Sequence, residues 1–167
     1  YESWWVSGRD SHPSESPAYD DETLLWYRAL LDLGVRVDVL PVAADLGDYE
    51  VVVAPMLHVV PAALRERLTA FVTGGGHLVT TYFSGVVDEN DRVWLGGYPG
   101  ALRELLGITI EEFVPMLPGE TASLASGTVV RDWSERIARV EPDVEVLDTY
   151  AGGDLDGAPA VTRRRSG

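Results

Sequence analysis

Two polar side chains each follow directly after an apolar run that predicts a buried strand. This is the position at which α/β proteins usually carry catalytic or ligand-binding residues. His58 follows Val51–Ala54, and Ser84 follows His77–Tyr82. Ligands of doubly wound sheets bind beyond the carboxyl ends of the strands, so these residues are candidates for a base and a nucleophile. No carboxylate flanks His58, and Ser84 lacks the preceding glycine of a nucleophile elbow. Structural roles are favoured, and a stand-alone hydrolase that uses Ser84 or His58 stays open as an alternative.

Other patterns that often mark a site are incomplete. Gly74–Gly76 follows a predicted helix instead of preceding one, so it indicates a helix stop and not a phosphate loop. Asp88–Asp91 holds three carboxylates, but the ligand spacing and the closing glutamate of a calcium loop are missing. The chain has no cysteine, which excludes thiolate chemistry and disulfides. We therefore expect no catalytic residue, no metal site and no cofactor.

The segment Ser84–Gly100 predicts a long loop that mixes apolar and charged side chains. An apolar anchor with a polar rim is typical of a protein interface. The tentative interface residues are Asp88, Asn90, Arg92, Trp94, Leu95 and Tyr98. Two alternatives stay open: a carbohydrate-binding module that stacks a sugar on Trp94 and Tyr98, and packing of Trp94 onto its own domain.

Composition limits the partners of the chain. It has 167 residues and a net charge of −14, which disfavours nucleic-acid and anionic membrane surfaces. No apolar run approaches the roughly 18 residues of a membrane span. No basic and apolar leader is visible at the start, and we expect a cytoplasmic location.

The elements that must position these residues alternate between strand and helix over the first half of the chain. The predicted helices are Asp21–Leu33 and Ala62–Val72, and the predicted strands are Val35–Leu40, Val51–Ala54 and Leu78–Tyr82. We expect Leu24, Tyr27 and Leu31 to form the buried face of the first helix. Such alternation with short connections predicts a doubly wound, mostly parallel sheet with helices against it.

The second half predicts a less regular, β-rich part of the same domain. A short helix over Ala101–Leu106 ends at Gly107. The predicted strands are Ile108–Phe113, Glu135–Val140, Val144–Tyr150 and Ala160–Arg164, with a hairpin turn at Asp154–Gly157. We expect residues 1–167 to be a single α/β domain, truncated at both ends.

Several stretches, taken together, resemble the middle domain of family 42 β-galactosidases. These stretches are Tyr1–Trp5, Trp26–Leu30, Gly34–Asp38, Val53–Met56, Gly74–Gly76, Ser84–Gly100 and Leu102–Gly107. The resemblance runs from residue 1 to about 165. The stretch from Ser84 to Gly107 is the distinctive part of it, and the others are generic for α/β proteins.

The resemblance implies a fold, a role and a set of partners. The implied fold is flavodoxin-like with three layers, similar to class I glutamine amidotransferases, whose cysteine after the strand ending at Tyr82 is replaced here by Phe83 and Ser84. The implied role is to hold a β-galactosidase together as a homotrimer. The implied catalytic glutamates belong to a TIM-barrel domain of the same polypeptide, so the domain itself is expected to be non-catalytic.

Overall fold

The computed structural model describes residues 18–165 of the chain. In the first half of this range, the elements are α1 (Tyr19–Asp32), β1 (Val51–Ala54), α2 (Ala62–Thr73) and β2 (His77–Thr80). A 3-10 turn (Gly100–Leu102) and α3 (Arg103–Leu106) follow. The second half holds β3 (Ile108–Pro115), β4 (Thr121–Leu124), β5 (Val129–Arg131), β6 (Trp133–Val140), β7 (Val144–Ala151), a 3-10 turn (Gly153–Leu155) and β8 (Pro159–Arg164).

The two long helices confirm the predicted spans to within two residues. Three acidic side chains lie in the first turn of α1, where the helix dipole favours negative charge. Gly34 ends α1 in a left-handed conformation with φ 71°, and its N–H donates to the carbonyl of Leu31 at 2.8 Å. Gly74 caps the end of α2, so the glycine run is a helix stop, as predicted.

β1 and β2 form a parallel pair, and α2 packs beside it. The register joins Val51 to His77 and Ala54 to Thr80. The buried side of α2 consists of Leu64 and Leu68, which belong to one apolar cluster with residues of the 3-10 turn at Gly100–Leu102. The strand–helix–strand order of this part was therefore predicted correctly.

The predicted flavodoxin-like, mostly parallel three-layer fold is wrong. Within residues 18–165, β1–β2 is the only parallel pair of strands, and the other six strands pair antiparallel. β3 pairs with β6, and a four-stranded sheet has the order β5-β4-β7-β8. The strands of the second half, which the sequence predicts as a less regular, β-rich part of the domain, make up most of the sheet structure.

The predicted strand Val35–Leu40 is not a strand in the structure, and this removes the third parallel member of the sheet. Its Val35 and Val39 are 47% and 78% exposed. The alternation of apolar residues is a local pattern, whereas a strand also requires a neighbouring strand with which to form hydrogen bonds. Among the described strands, β1 forms ladder hydrogen bonds only with β2.

The predicted buried face of α1 is only partly present, because Tyr27 is half-buried but the other two residues are exposed. Leu24 and Leu31 are 42% and 47% exposed, and no residue of this helix is fully buried. Its half-buried residues also include Glu22, Trp26 and Leu30, one helical turn apart. The indole N–H of Trp26 donates to the carboxylate of Glu22 at 3.0 Å.

The antiparallel part has two local irregularities and one residue, Trp133, that packs against the parallel pair. The pairing of β3 with β6 contains two register shifts, near Thr109 and Ile110. The turn between β7 and β8 contains the 3-10 turn Gly153–Leu155, which confirms the predicted hairpin. Trp133 at the start of β6 packs in one cluster with Met56, Val59 and Phe83, and so joins the antiparallel part to the parallel pair.

Candidate functional site at the carboxyl ends of the parallel strands

Both parallel strands end in sharp turns that are joined by side-chain hydroxyls. Met56 after β1 and Phe83 after β2 have positive φ angles of 43° and 59°, which are uncommon for residues other than glycine. Thr81 Oγ1 accepts the N–H of Met56 at 2.9 Å. Ser84 Oγ accepts the N–H of Leu57 at 3.0 Å and donates to the carbonyl of Thr81 at 2.8 Å. The hydroxyls replace the ladder hydrogen bonds at the point where the strands end.

These contacts give the two candidate catalytic residues structural roles. Ser84 is 5% exposed, and its hydroxyl both accepts and donates a backbone hydrogen bond. His58 is 6% exposed, and its ring stacks on Phe83 with a centroid distance of 4.6 Å. A nucleophile must be accessible to substrate and free to give its proton to a base. Ser84 meets neither condition, so the geometry does not support the hydrolase alternative.

Aromatic side chains fill the space beyond the carboxyl ends of β1 and β2. The ring of Phe83 lies 5.2 Å from that of Phe113 on β3 and 5.4 Å from that of Trp133 on β6. Tyr98 of the loop stacks on Phe113 at 4.3 Å, and Tyr82 lies 6.2 Å from Trp133. The position where a doubly wound protein binds its ligand is therefore occupied by packed rings.

Glu135 is a buried carboxylate within this aromatic cluster, and it is not among the candidate residues predicted from the sequence. It lies on β6 and is 8% exposed. Its Oε1 accepts the backbone N–H of Phe83 at 2.7 Å and the indole N–H of Trp133 at 3.4 Å. Burial raises the pKa of Glu135 to about 7, against the opposing effect of the two N–H donors. The signal was available, because strand alternation places Glu135 on the same face as Trp133.

The Ser84–Gly100 segment is a loop, as predicted, and internal polar contacts fix its shape. Asp88 Oδ1 accepts the backbone N–H groups of Asn90 at 2.8 Å and Arg92 at 3.0 Å. These N–H groups hold the pKa of Asp88 below its ordinary value. At the far end, the Arg103 guanidinium donates to the carbonyl of Leu95 at 3.1 Å and to the carbonyl of Gly97.

The six tentative interface residues are divided between the surface and the interior. Leu95 is 91% exposed, and its neighbour Val93, which is not among the six, is 57% exposed. Asn90 and Arg92 are exposed, and Asp88 is half-buried. The remaining two residues, Trp94 and Tyr98, are half-buried.

The two aromatic residues of the loop pack onto their own domain. Trp94 contacts the cluster that contains Leu102, and it lies so close to Gly100 that a Cβ there would be 2.1 Å from its own Cβ. Tyr98 stacks on Phe113. Neither ring forms an exposed platform, so the geometry does not support the sugar-binding alternative. The apolar residues that the loop presents outward are Val93 and Leu95.

The remaining candidate features are a metal site, a membrane-spanning helix, the histidines His77 and His12, and a surface pocket. Residues 18–165 contain no group of three or more histidine, aspartate or glutamate side chains that could hold a metal ion. No helix among them is long and apolar enough to cross a membrane. His77 is the first residue of β2, and His12 lies outside the described residues. A pocket of about 380 Å³ between residues 44–49 and α2 has Asp45 and Arg67 as its charged lining residues.

The fold and the site define a domain whose described part has aromatic rings packed beyond the ends of β1 and β2 and a loop with exposed apolar residues. A family profile described as "Beta-galactosidase trimerisation domain" matches residues 1–167. The chain belongs to this family, which confirms the resemblance to the middle domain of family 42 β-galactosidases but not the implied similarity to class I glutamine amidotransferases. The family is the assembly part of β-galactosidases, which are glycoside hydrolases, and the chain is accordingly a non-catalytic domain.

Individual relatives agree with this assignment. A β-galactosidase from Arthrobacter sp. is 41% identical over 167 residues, which are 100% of this chain and 24% of the relative. The crystal structure of a β-galactosidase from Bacillus circulans sp. alkalophilus matches with a TM-score of 0.93 at 37% identity, over 98% of this chain and 25% of that one. A β-galactosidase from Rahnella sp. R3 matches with a TM-score of 0.89 at 34% identity, over 98% and 25%. The chain thus spans about a quarter of the length of these relatives.

Proposed function

We propose that this domain holds a β-galactosidase together as a homotrimer and that the Ser84–Gly100 loop forms part of the contact. The parent polypeptide would hydrolyse terminal β-galactosides in carbohydrate metabolism, with its catalytic residues in a TIM-barrel domain outside this chain. The family description and the names of the relatives support this proposal. A cytoplasmic location stays a prediction.

The exposure of Leu95 is the observation that carries the interface proposal. A leucine that is 91% exposed at the tip of an ordered loop gains nothing from its own domain. The backbone on both sides of it is held by Arg103 and by the hydrogen bonds of Asp88. An ordered loop lowers the entropic cost of association. Val93 beside it, and Asn90 and Arg92 around it, complete an apolar tip with a polar rim.

The six tentative interface residues therefore fall into two groups, those that form the contact and those that support the loop. Leu95 is the anchor of the contact, and Arg92 and Asn90 belong to its rim. Trp94, Tyr98 and Asp88 support the loop from inside the domain. The packing of Trp94 onto its own domain, one of the two alternatives for this residue, is the one that the contacts favour.

Replacement of Leu95 and of Trp94 should give opposite results. In the full-length polypeptide, we expect Leu95→Asp to weaken assembly by about 2 kcal/mol or more, because it places a charge in the contact. Its free energy of unfolding should change by no more than about 0.5 kcal/mol. Trp94→Ala should lower the free energy of unfolding by about 3–5 kcal/mol, because it empties a packed site.

Sedimentation velocity over a range of protein concentrations measures the assembly, and urea unfolding measures the stability. Leu117→Asp is the matched control, since Leu117 is 69% exposed and lies in the turn between β3 and β4, outside the Ser84–Gly100 segment. This control should assemble like the wild type. A Leu95→Asp variant that also assembles at wild-type concentrations would show that the loop is not part of the contact.

A further inference from the structure

The side chain of Glu135 links the two parts of the fold at one backbone group. It reaches from β6 to the turn after β2, and its Oε1 accepts the N–H of Phe83 at 2.7 Å across 52 residues of sequence. The same oxygen accepts the indole N–H of Trp133 at 3.4 Å. Phe83 has a φ of 59°, a conformation that a bulky side chain seldom adopts without external contacts that hold it.

The Ser84–Gly100 loop starts from this turn and is fixed by it. Gly85 donates to the carbonyl of Leu57 at 2.8 Å, and Val86 donates to the carbonyl of His58 at 3.0 Å. Further along, the N–H of Trp94 donates to the carbonyl of Val86 at 3.1 Å. The direction in which the loop leaves the domain therefore follows from the conformation at Phe83.

Burial disfavours the negative charge of Glu135, and the titratable groups near it include two phenols. The pKa of Tyr82, which follows β2, is raised first by burial and then by the charge of Glu22 on α1. The charges of Asp132 and Glu135 also raise it. Burial also raises the pKa of Tyr150 on β7, a phenol that faces the backbone and the charge of Glu135. His58 stacks on the ring of Phe83 at a centroid distance of 4.6 Å. The surroundings are thus aromatic rings and further acids.

We propose that Glu135 is a positioning residue for the loop and that gain or loss of its proton changes how firmly the turn at Phe83 is held. A neutral carboxyl group still has oxygen lone pairs with which to accept both N–H groups. The ionised group accepts them too, but it leaves a negative charge in an apolar cluster, where two neutral donors compensate for only part of the lost hydration. The effect on assembly rests on the proposed function of the loop, whereas the effect on the turn does not.

The direction of the pH effect follows from the raised pKa. Burial raises the pKa of Glu135 from its ordinary value of about 4.5 to about 7, so the folded domain binds this proton more tightly than the unfolded chain does. The stabilisation is complete below about pH 4.5 and is lost as the pH rises through about 7. From this group alone, the unfolding equilibrium constant should rise on the order of 100-fold between those two pH values.

The first test compares the pH dependence of unfolding in the wild type and in Glu135→Gln. The amide oxygen of glutamine can accept the N–H of Phe83 but does not titrate. Urea unfolding of the 167-residue chain from pH 4.5 to 8 should show a rise of the unfolding constant that is on the order of 100-fold larger in the wild type. Glu111→Gln on β3 removes an exposed carboxylate and should keep the wild-type profile. Equal profiles for the wild type and Glu135→Gln would overturn the proposal.

The second test reads the turn directly through hydrogen exchange of the Phe83 amide. In Glu135→Leu, this N–H has no acceptor at position 135, and we expect it to exchange roughly tenfold faster or more at pH 6. In Glu135→Gln, it should stay within a fewfold of the wild type. If the leucine variant does not fold, the pH profile of the glutamine variant still decides. Unchanged exchange in a folded Glu135→Leu variant would overturn the proposal, whatever Leu95→Asp shows about assembly.

Discussion

Ser84 lies where α/β proteins often carry a catalytic residue, but its hydroxyl is engaged in hydrogen bonds with the backbone. Its hydroxyl accepts from Leu57 and donates to Thr81, so both of its hydrogen-bonding functions are engaged at 5% exposure. Glu135 has the same kind of role, since its Oε1 accepts the N–H groups of Phe83 and Trp133. At the residue scale, the buried polar side chains Ser84 and Glu135 stabilise the turns at the carboxyl ends of β1 and β2.

Ser84→Ala should destabilise the domain because it leaves the N–H of Leu57 without its acceptor in a buried place. A buried backbone donor without a partner costs about 1–3 kcal/mol. We expect the free energy of unfolding, measured with urea, to fall by that amount. Ser123→Ala is the matched control, because Ser123 on β4 is exposed, and its change should stay within about 0.5 kcal/mol. A loss in Ser84→Ala no larger than in Ser123→Ala would contradict this structural role.

Some features of the candidate site could be predicted from the sequence, whereas the orientation of single side chains could not. The loop could be predicted from its composition, but composition does not tell which of two adjacent apolar residues points outward. Trp94 turns inward because Gly100 leaves room for its ring, and Leu95 turns outward. Glu135 was missed because an acidic residue in a strand is usually exposed, and its partner Phe83 lies 52 residues away.

At the scale of elements, the Ser84–Gly100 loop depends on one close approach of backbone to side chain. A Cβ at Gly100 would lie 2.1 Å from Trp94 Cβ and 2.2 Å from its Cγ. Real atoms do not come this close, so any larger residue at position 100 must displace the tryptophan. The loop and the 3-10 turn at Gly100–Leu102 therefore pack as one unit with the cluster that includes Leu68.

Gly100→Ala should displace the Trp94 ring and loosen the loop. Overpacking of this kind costs about 1–3 kcal/mol, and we expect a decrease of that size in the free energy of unfolding, together with a shift in tryptophan fluorescence. Gly47→Ala is the control, because its nearest contact would be an ordinary 3.4 Å to Asp45 Oδ1. It should be neutral or stabilising by up to about 1 kcal/mol. Equal stability of the two variants would show that Trp94 does not need the space at position 100.

Elements with strong local signals were predicted well, and their assembly was not. Helices α1 and α2 have acidic first turns or glycine stops that act within a few residues, and their spans follow from the sequence. The pairing of Val35–Leu40 depends on whether another strand offers its edge, which no local pattern contains. The same limit applies to the antiparallel order β5-β4-β7-β8, where β4 pairs with β7 across 20 or more residues.

At the scale of the whole molecule, charge opposes the association that the family description names. Each copy carries a net charge of −14, and like charges repel over a distance set by the ionic strength. The ion pairs within the described part are surface pairs, such as Arg163–Glu145 at 2.7 Å and Arg136–Glu112 at 2.9 Å. Such pairs contribute little to stability and leave the net charge unchanged. An apolar tip such as that of Leu95 is the kind of contact that can overcome this repulsion.

Association of the isolated 167-residue chain should therefore become tighter as salt is added. The Debye length falls from about 30 Å at 0.01 M to about 8 Å at 0.15 M, which screens the repulsion between copies that each carry a charge of −14. Burial of apolar surface at Leu95 is not weakened by this change. We expect the dissociation constant, measured by sedimentation velocity, to fall on the order of tenfold over this range. Leu95→Asp should remain largely dissociated at both salt concentrations. Association that weakens with salt would show that ion pairs between copies, and not an apolar contact, hold the assembly together.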